Sequence, residues 1–317
     1  QLVHHYNTIW KYLESNPDDT SLEYMHLCYW VIDLSCRGDL QPLGELTPFY
    51  NHAKKILLQH NLINTTRDYC LDLSYNYALL WWGRNEQKTM VSFRIQSLID
   101  SAKAIFGANS AQVANGYRSL SNVEIFQGNK FTALSHMETS WEILSQHYNE
   151  NNYYHQIFLG NLADLYIISG YSDYIEKGID IYSNVLDTVE KLYGPYSDYY
   201  YELLLNSHIS LSISNNEEEA YEILRDIADE LLLIISDKNF NHIKPLKVAV
   251  LLRSCAECYF NTGQYEKAYP LIENSIELLS DLPNYELELA QSLLYNANFK
   301  STYSQYKEAS DLYIKIA

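Results

Sequence analysis

Gly263-Gln264-Tyr265-Glu266-Lys267-Ala268 and Ser304-Gln305-Tyr306-Lys307-Glu308-Ala309 lie 41 residues apart and can be laid on each other position by position. Followed backward, the small or turn-forming residue that opens the echo recurs as Gly38, Gly83, Gly128, Gly170, Asn215, Gly263 and Ser304. The intervals are 45, 45, 42, 45, 48 and 41 residues. Self-similarity at such a period is the mark of a repeat array, in which each unit packs only on its neighbours and the chain forms one domain of any length.

Before each anchor lies a helix-length amphipathic segment, as in Leu159–Tyr166, with apolar residues at the i, i+3, i+4, i+7 spacing of a buried helical face. After it comes a second, as in Ile179–Leu186. Each period therefore holds two helices joined by a tight turn, and the anchor supplies a residue that tolerates positive φ. Five residues beyond the anchor a small side chain recurs as Ala133, Ala220, Ala268 and Ala309; seven before it, as Ser121, Ala163, Ala256 and Ala297. Helices approach closely only where neither carries bulk, so these positions mark where the two helices cross. Bulky residues stand eleven before the anchor, at Tyr117, Leu159, Leu204, Leu252 and Leu293.

The arrangement of bulky, small, Gly and Ala positions resembles the tetratricopeptide repeat, and Tyr166 and Tyr259 match its aromatic position. The period exceeds the roughly 34 residues of the standard unit. Gly107 and Gly194 each lie 24 residues after an anchor and close a second helix, which is similar to the long-period subclass of kinesin light chains and many bacterial proteins. Where that subclass has His-Pro, this chain has Asn109-Ser110 and Tyr196-Ser197. The resemblance covers about residues 20–317. It implies an all-α, right-handed superhelical solenoid of about seven helix pairs: residues 1–109 are degenerate repeats, in which Pro42 and Pro48 delay a helix, and residues 110–317 are better-matched ones, the last truncated. The whole reads as one continuous solenoid, excised from something longer.

Composition agrees and narrows the partners. With 11 Gly and 7 Pro in 317 residues, the turns of a large all-β protein are lacking. The longest apolar run, Leu231–Ile235, is far short of the roughly 20 residues that cross a bilayer, and Gln1–Tyr6 lacks the basic-then-apolar order of a signal peptide. Five scattered Cys suggest a reducing, cytoplasmic setting. The net charge of −18 disfavours nucleic acid and anionic membrane, and leaves a basic or neutral polypeptide acceptable. The same acid could serve only to keep an elongated protein in solution.

No residues promise chemistry. Cys255-Ala256-Glu257-Cys258 falls mid-helix with no second Cys pair, so core packing is expected, not metal or redox work. The His residues show no metal-ligand grouping, and nucleophile-elbow and phosphate-loop motifs are missing. No cofactor and no enzymatic activity are expected. The 30 Tyr, clustered at Tyr193, Tyr196, Tyr199, Tyr200 and Tyr201, suit an interface, and equally suit half-buried helix positions in place of Phe and Leu.

Carried over from the resemblance, the concave face is lined by the first helix of each pair. That indexing picks Arg118, Asn122, Asn161, Asn206, Arg253 and Tyr295 as contacts to a bound polypeptide; Asn161 and Asn206 fall where the family uses amides to hold a peptide backbone. Arg118, Asn122 and Asn161 also match part of the carboxylate clamp that grips chaperone tails, but Glu202 stands where a cation is needed, so that receptor type is rejected. The expected function is a non-enzymatic scaffold or sensor that binds a protein, or another domain of its own chain. Two alternatives follow from the family: the regulatory half of a larger effector such as a caspase-like CHAT peptidase, or an intracellular receptor for signalling peptides.

Overall fold

The computed structural model describes residues 2–36, 42, 44–194, 197, 199, 200, 203, 206, 245–261, 263–280, 282, 285–302, 305 and 307–311. All regular structure among them is helical: α1 (Leu2–Ser15), α2 (Leu22–Cys36), α3 (Thr47–Gln59), α4 (Thr66–Trp82), α5 (Asn85–Thr89), α6 (Val91–Phe106), α7 (Ala111–Phe126), α8 (Lys130–Leu144), α9 (Tyr153–Ser169), α10 (Ser172–Tyr193), α11 (Pro245–Asn261), α12 (Tyr265–Ser280) and α13 (Glu286–Thr302). The pairs are α2/α3, α4/α6, α7/α8, α9/α10 and α11/α12, and α13 opens a further one. The anchors Gly38, Asn215 and Ser304 lie outside the described residues, as do Leu204, Ala220, Tyr196, Tyr201 and Glu202. The chain divides into two compact units, Gln1–Asn149 and Glu150–Ala317.

Where the repeat was legible, the atoms repeat too. Gly128, Gly170 and Gly263 take φ of 83°, 83° and 77°, the left-handed region that lets a helix end and reverse. The small positions meet as expected. Ser121 is fully buried and its hydroxyl donates to the Ala133 carbonyl at 2.7 Å. Ala256 and Ala268 are both fully buried at the corresponding place in the second unit. Twelve residues beyond their glycines, Ser140 and Ser275 each donate at 2.7 Å to a carbonyl fourteen before it, that of Ala114 and of Ala249. Two pairs 135 residues apart thus share a buried side-chain bond between their two helices. In α9/α10 the close approach is made by Gly178, where a Cβ would stand 2.9 Å from the Ala163 carbonyl oxygen.

The links between pairs also recur. Gly107 and Gly194 sit at φ 90° with ψ near 151° and 158°, a region essentially closed to residues with a Cβ. Three residues on, the Ser110 and Ser197 amides donate back to the Gly107 and Gly194 carbonyls at 3.2 and 3.3 Å. Ser110 then caps α7 by accepting from the Val113 amide, and Ser197 accepts from the Tyr200 amide. The serine that departs from the family's His-Pro turn is therefore a helix cap.

Two departures occur in the first unit. Gly83 has φ −73°, not a positive value, because the short α5 intervenes before α6. Glycine is required there by crowding: a Cβ would lie 2.4 Å from the Leu79 carbonyl oxygen. Second, α1 precedes the first pair and completes its core. Tyr6 hydrogen-bonds Ser35 at 2.7 Å, the Tyr24 hydroxyl donates to the Leu13 carbonyl at 2.8 Å, and Trp10 packs edge-on against Phe49.

Candidate functional site

In the first unit α2, α4 and α7 lie side by side and enclose a cleft of about 450 Å³. Its walls are Tyr29 and Asp33 from α2, Cys70, Leu73, Ser74 and Tyr77 from α4, and Asn115, Arg118, Ser119 and Asn122 from α7. The spacing explains the set: i and i+4 place the α2 pair, and i, i+3, i+4 and i+7 each quartet of α4 and α7, on one helical face. A second hollow of about 200 Å³ shares Tyr29 and Cys70 and adds Met25, His26, Thr66 and Arg67.

The cleft mixes committed and uncommitted polar groups. Asp33 Oδ1 accepts from the Ser74 hydroxyl at 3.0 Å and from the Tyr29 hydroxyl at 3.5 Å. Burial, and then the nearby Asp33 charge, push the Cys70 thiol above its ordinary range. By contrast Asn115, Ser119 and Asn122 have no hydrogen-bond partner among the described residues. Asn115 and Ser119 are half-buried and Asn122 is exposed. A row of amides and a hydroxyl facing a cleft offers both donors and acceptors to a ligand.

The structure brings Arg118 and Asn122 together in this cleft. The sequence reading missed its other walls, yet the signal was present. Arg118, Ser119 and Asn122 stand ten, nine and six residues before Gly128, and the same offsets from Gly83 give Leu73, Ser74 and Tyr77. In the degenerate repeats of residues 1–109 these offsets from Gly83 carry Leu and Tyr in place of Arg and Asn.

The remaining candidates belong to the second unit. Asn161 on α9 is half-buried without a hydrogen-bond partner among the described residues, and Asn206 is half-buried. Gly160, beside Asn161, lies against Leu203, where a Cβ would be 2.9 Å from Cδ2. Arg253 and Tyr295 come together through Glu257. Burial pushes the Glu257 carboxyl up, opposed by a hydrogen bond from Tyr295 and the Arg253 charge. Burial likewise lowers the Arg253 guanidinium, and its Nη1 donates to the Glu288 carbonyl at 3.3 Å. Asp164, three residues after Asn161, accepts from the Tyr182 hydroxyl of α10.

Cys255 and Cys258 are buried in the core of α11, α12 and α13, and burial raises the Cys255 thiol. Tyrosine divides between core and surface. Tyr6, Tyr166 and Tyr259 are core residues, whereas Tyr153 and Tyr193 are exposed and make edge-on contacts with each other and, for Tyr193, with Tyr199.

Neither a protein-family model nor a curated protein matches the chain. Solved structures do. The apo form of RapI matches with TM-score 0.60 at 14% identity, covering 94% of this chain and 75% of that one. BtubC (BKLC) from P. vanneervenii gives 0.55 at 13%, over 74% of this chain and 89% of its own. The fold is that of the tetratricopeptide-like repeat proteins. A Rap protein complexed with competence and sporulation factor has the same fold at TM-score 0.52 and 13% identity, over 93% of this chain and 75% of that one. At such identities the likeness concerns the tetratricopeptide-like fold alone. No helix of the described residues is long and apolar enough to cross a membrane.

Proposed function

We propose that this chain is a protein-interaction module that binds an extended polypeptide segment in the cleft of α2, α4 and α7. The observation that carries the reading is the row Asn115, Ser119 and Asn122, whose polar atoms have no partner among the described residues and face a cleft of about 450 Å³. A peptide backbone presents alternating donors and acceptors, which side-chain amides match with either end. Tyr29, Leu73 and Tyr77 supply apolar surface between these groups. The partner is a protein, or another domain of the same chain, with a basic or neutral segment suited to a chain of net charge −18. Binding, not catalysis, is the role, and free thiols at Cys28, Cys70, Cys255 and Cys258 suit a reducing, cytoplasmic setting.

A narrower reading, a receptor for a short signalling ligand, is favoured by the complex of a Rap protein with competence and sporulation factor. Peptides selected from a random displayed library against the full chain, then titrated by calorimetry, test both. The expected result is a peptide whose affinity falls at least tenfold on Arg118→Ala combined with Asn122→Ala. Unchanged affinity in that double variant removes the cleft from the account. Asn161 and Asn206 are assigned secondary contacts in the second unit, to be tested by the same titration, whereas Arg253 and Tyr295 are assigned to holding Glu257.

A further inference from the structure

The turn edge of the first unit carries a second surface of different chemistry. Antiparallel pairing brings the ends of α4 and α7 to the same edge as the starts of α6 and α8. Four aromatic side chains emerge there: Trp81 is 40% exposed, Phe126 48%, Phe131 54% and Phe93 68%. Trp81 and Phe126, from successive pairs, meet edge-on with centroids 5.2 Å apart. Gln127 donates to the Ser92 hydroxyl at 3.2 Å, which ties the end of α7 to the start of α6 beside Phe93. Aromatic rings left this exposed on one edge mark an interaction surface.

Charge says what covers it. Around this edge, over 81–97 and 122–131, the sequence has four basic residues (Arg84, Lys88, Arg94, Lys130) and two acidic ones (Glu86, Glu124), a net of +2 in a chain of −18. Arg84 is held by Glu45. Arg94 and Lys130, which adjoin Phe93 and Phe131 in sequence, and Lys88 in the short α5 have no carboxylate partner among the described residues. We infer that this edge docks an acidic polypeptide segment bearing bulky apolar side chains. Its rings seat the apolar groups and its three lysine and arginine cations pair with the acid. An anionic membrane is disfavoured because the chain as a whole repels it.

The surface is distinct from the cleft, so the two are tested separately. Full-length chain is titrated by fluorescence anisotropy with three labelled peptides: one alternating glutamate with leucine and phenylalanine, one with lysine for glutamate, and one with serine for the apolar residues. Vesicles containing phosphatidylserine and sedimentation velocity of the chain alone complete the set. The first peptide is expected to bind roughly tenfold tighter than either control at low salt and to weaken as salt rises. Arg94→Glu with Lys130→Glu, or Phe93→Ser with Phe126→Ser, abolishes that preference, whereas Arg118→Ala with Asn122→Ala preserves it. Circular dichroism confirms that each variant folds. Equal binding of the lysine peptide, preference for the vesicles, or self-association removed by the same variants overturns the proposal.

Discussion

Arg118 in the first unit and Arg253 in the second stand at the same place, ten residues before the glycine that closes their helix, each followed by Ser. Six before that glycine the first unit has Asn122 and the second Glu257. That one difference goes with two fates. Asn122 is exposed and without a partner at a cleft that Arg118 also lines. Glu257 is buried enough to have its carboxyl pushed up, and it consumes Tyr295 and Arg253 as neighbours. Equivalent positions in a repeat are thus equivalent in backbone only; whether they face a ligand depends on whether their own neighbours already satisfy them.

The largest effect should be common to both units, because the helix crossing is the shared device. Ser121→Leu and Ala256→Leu each insert bulk where two helices touch, and each is expected to cost about 3 kcal/mol in urea unfolding followed by helical circular dichroism. A loss confined to one variant would break the structural equivalence on which the comparison rests. Next comes the arginine pair. Arg118→Ala should weaken a cleft-bound peptide by roughly tenfold to a hundredfold with little change in stability. Arg253→Ala should leave that affinity within about twofold and cost ~1 kcal/mol of stability, since it leaves Glu257 without its cation. The opposite split would reverse the assignment of site and scaffold.

A smaller effect separates the units by pH. Glu257 has its folded value raised by burial, so the folded state binds the proton more tightly than the unfolded. Its contribution to stability is greatest below the usual glutamate value near 4.5 and is lost as pH rises from there through the folded value. His136, stacked on Tyr117, has its value lowered from 6.5 by burial. Its contribution is present above 6.5 and is lost as pH falls from there. Protection factors from amide hydrogen exchange should therefore rise around α11 and α13, and fall around α7 and α8, as pH goes from 6.5 to 5. Glu257→Gln should flatten the first trend and His136→Gln the second.

The helix pairs were legible because their determinants are local: a glycine at positive φ, small residues at the crossing, a 3.6-residue apolar period. Gly128, Gly170 and Gly263 with Ser121, Ala163 and Ala256 suffice for that. Gly83 keeps the spacing but not the positive φ, since its glycine answers a steric contact with Leu79 that no spacing reveals. The cleft was legible only in part. Arg118 and Asn122 were found by offset from Gly128, but Tyr29 and Asp33 come from α2, whose anchor follows an irregular stretch with Pro42 and Pro48. The pairing of Glu257 with Tyr295 needs tertiary contact between α11 and α13, and no pattern within either helix carries it.

The central claim, that the α2–α4–α7 cleft is where a polypeptide binds, is tested most directly by the thiol in its wall. Cys70 is half-buried and lines the cleft, whereas Cys255 and Cys258 lie in the core of the second unit. Iodoacetamide modification of Cys70 is followed by mass spectrometry at mildly alkaline pH, with and without a saturating selected peptide. The account predicts that bound peptide slows Cys70 alkylation several-fold and leaves the core thiols unchanged. An unaltered Cys70 rate at saturation would contradict it.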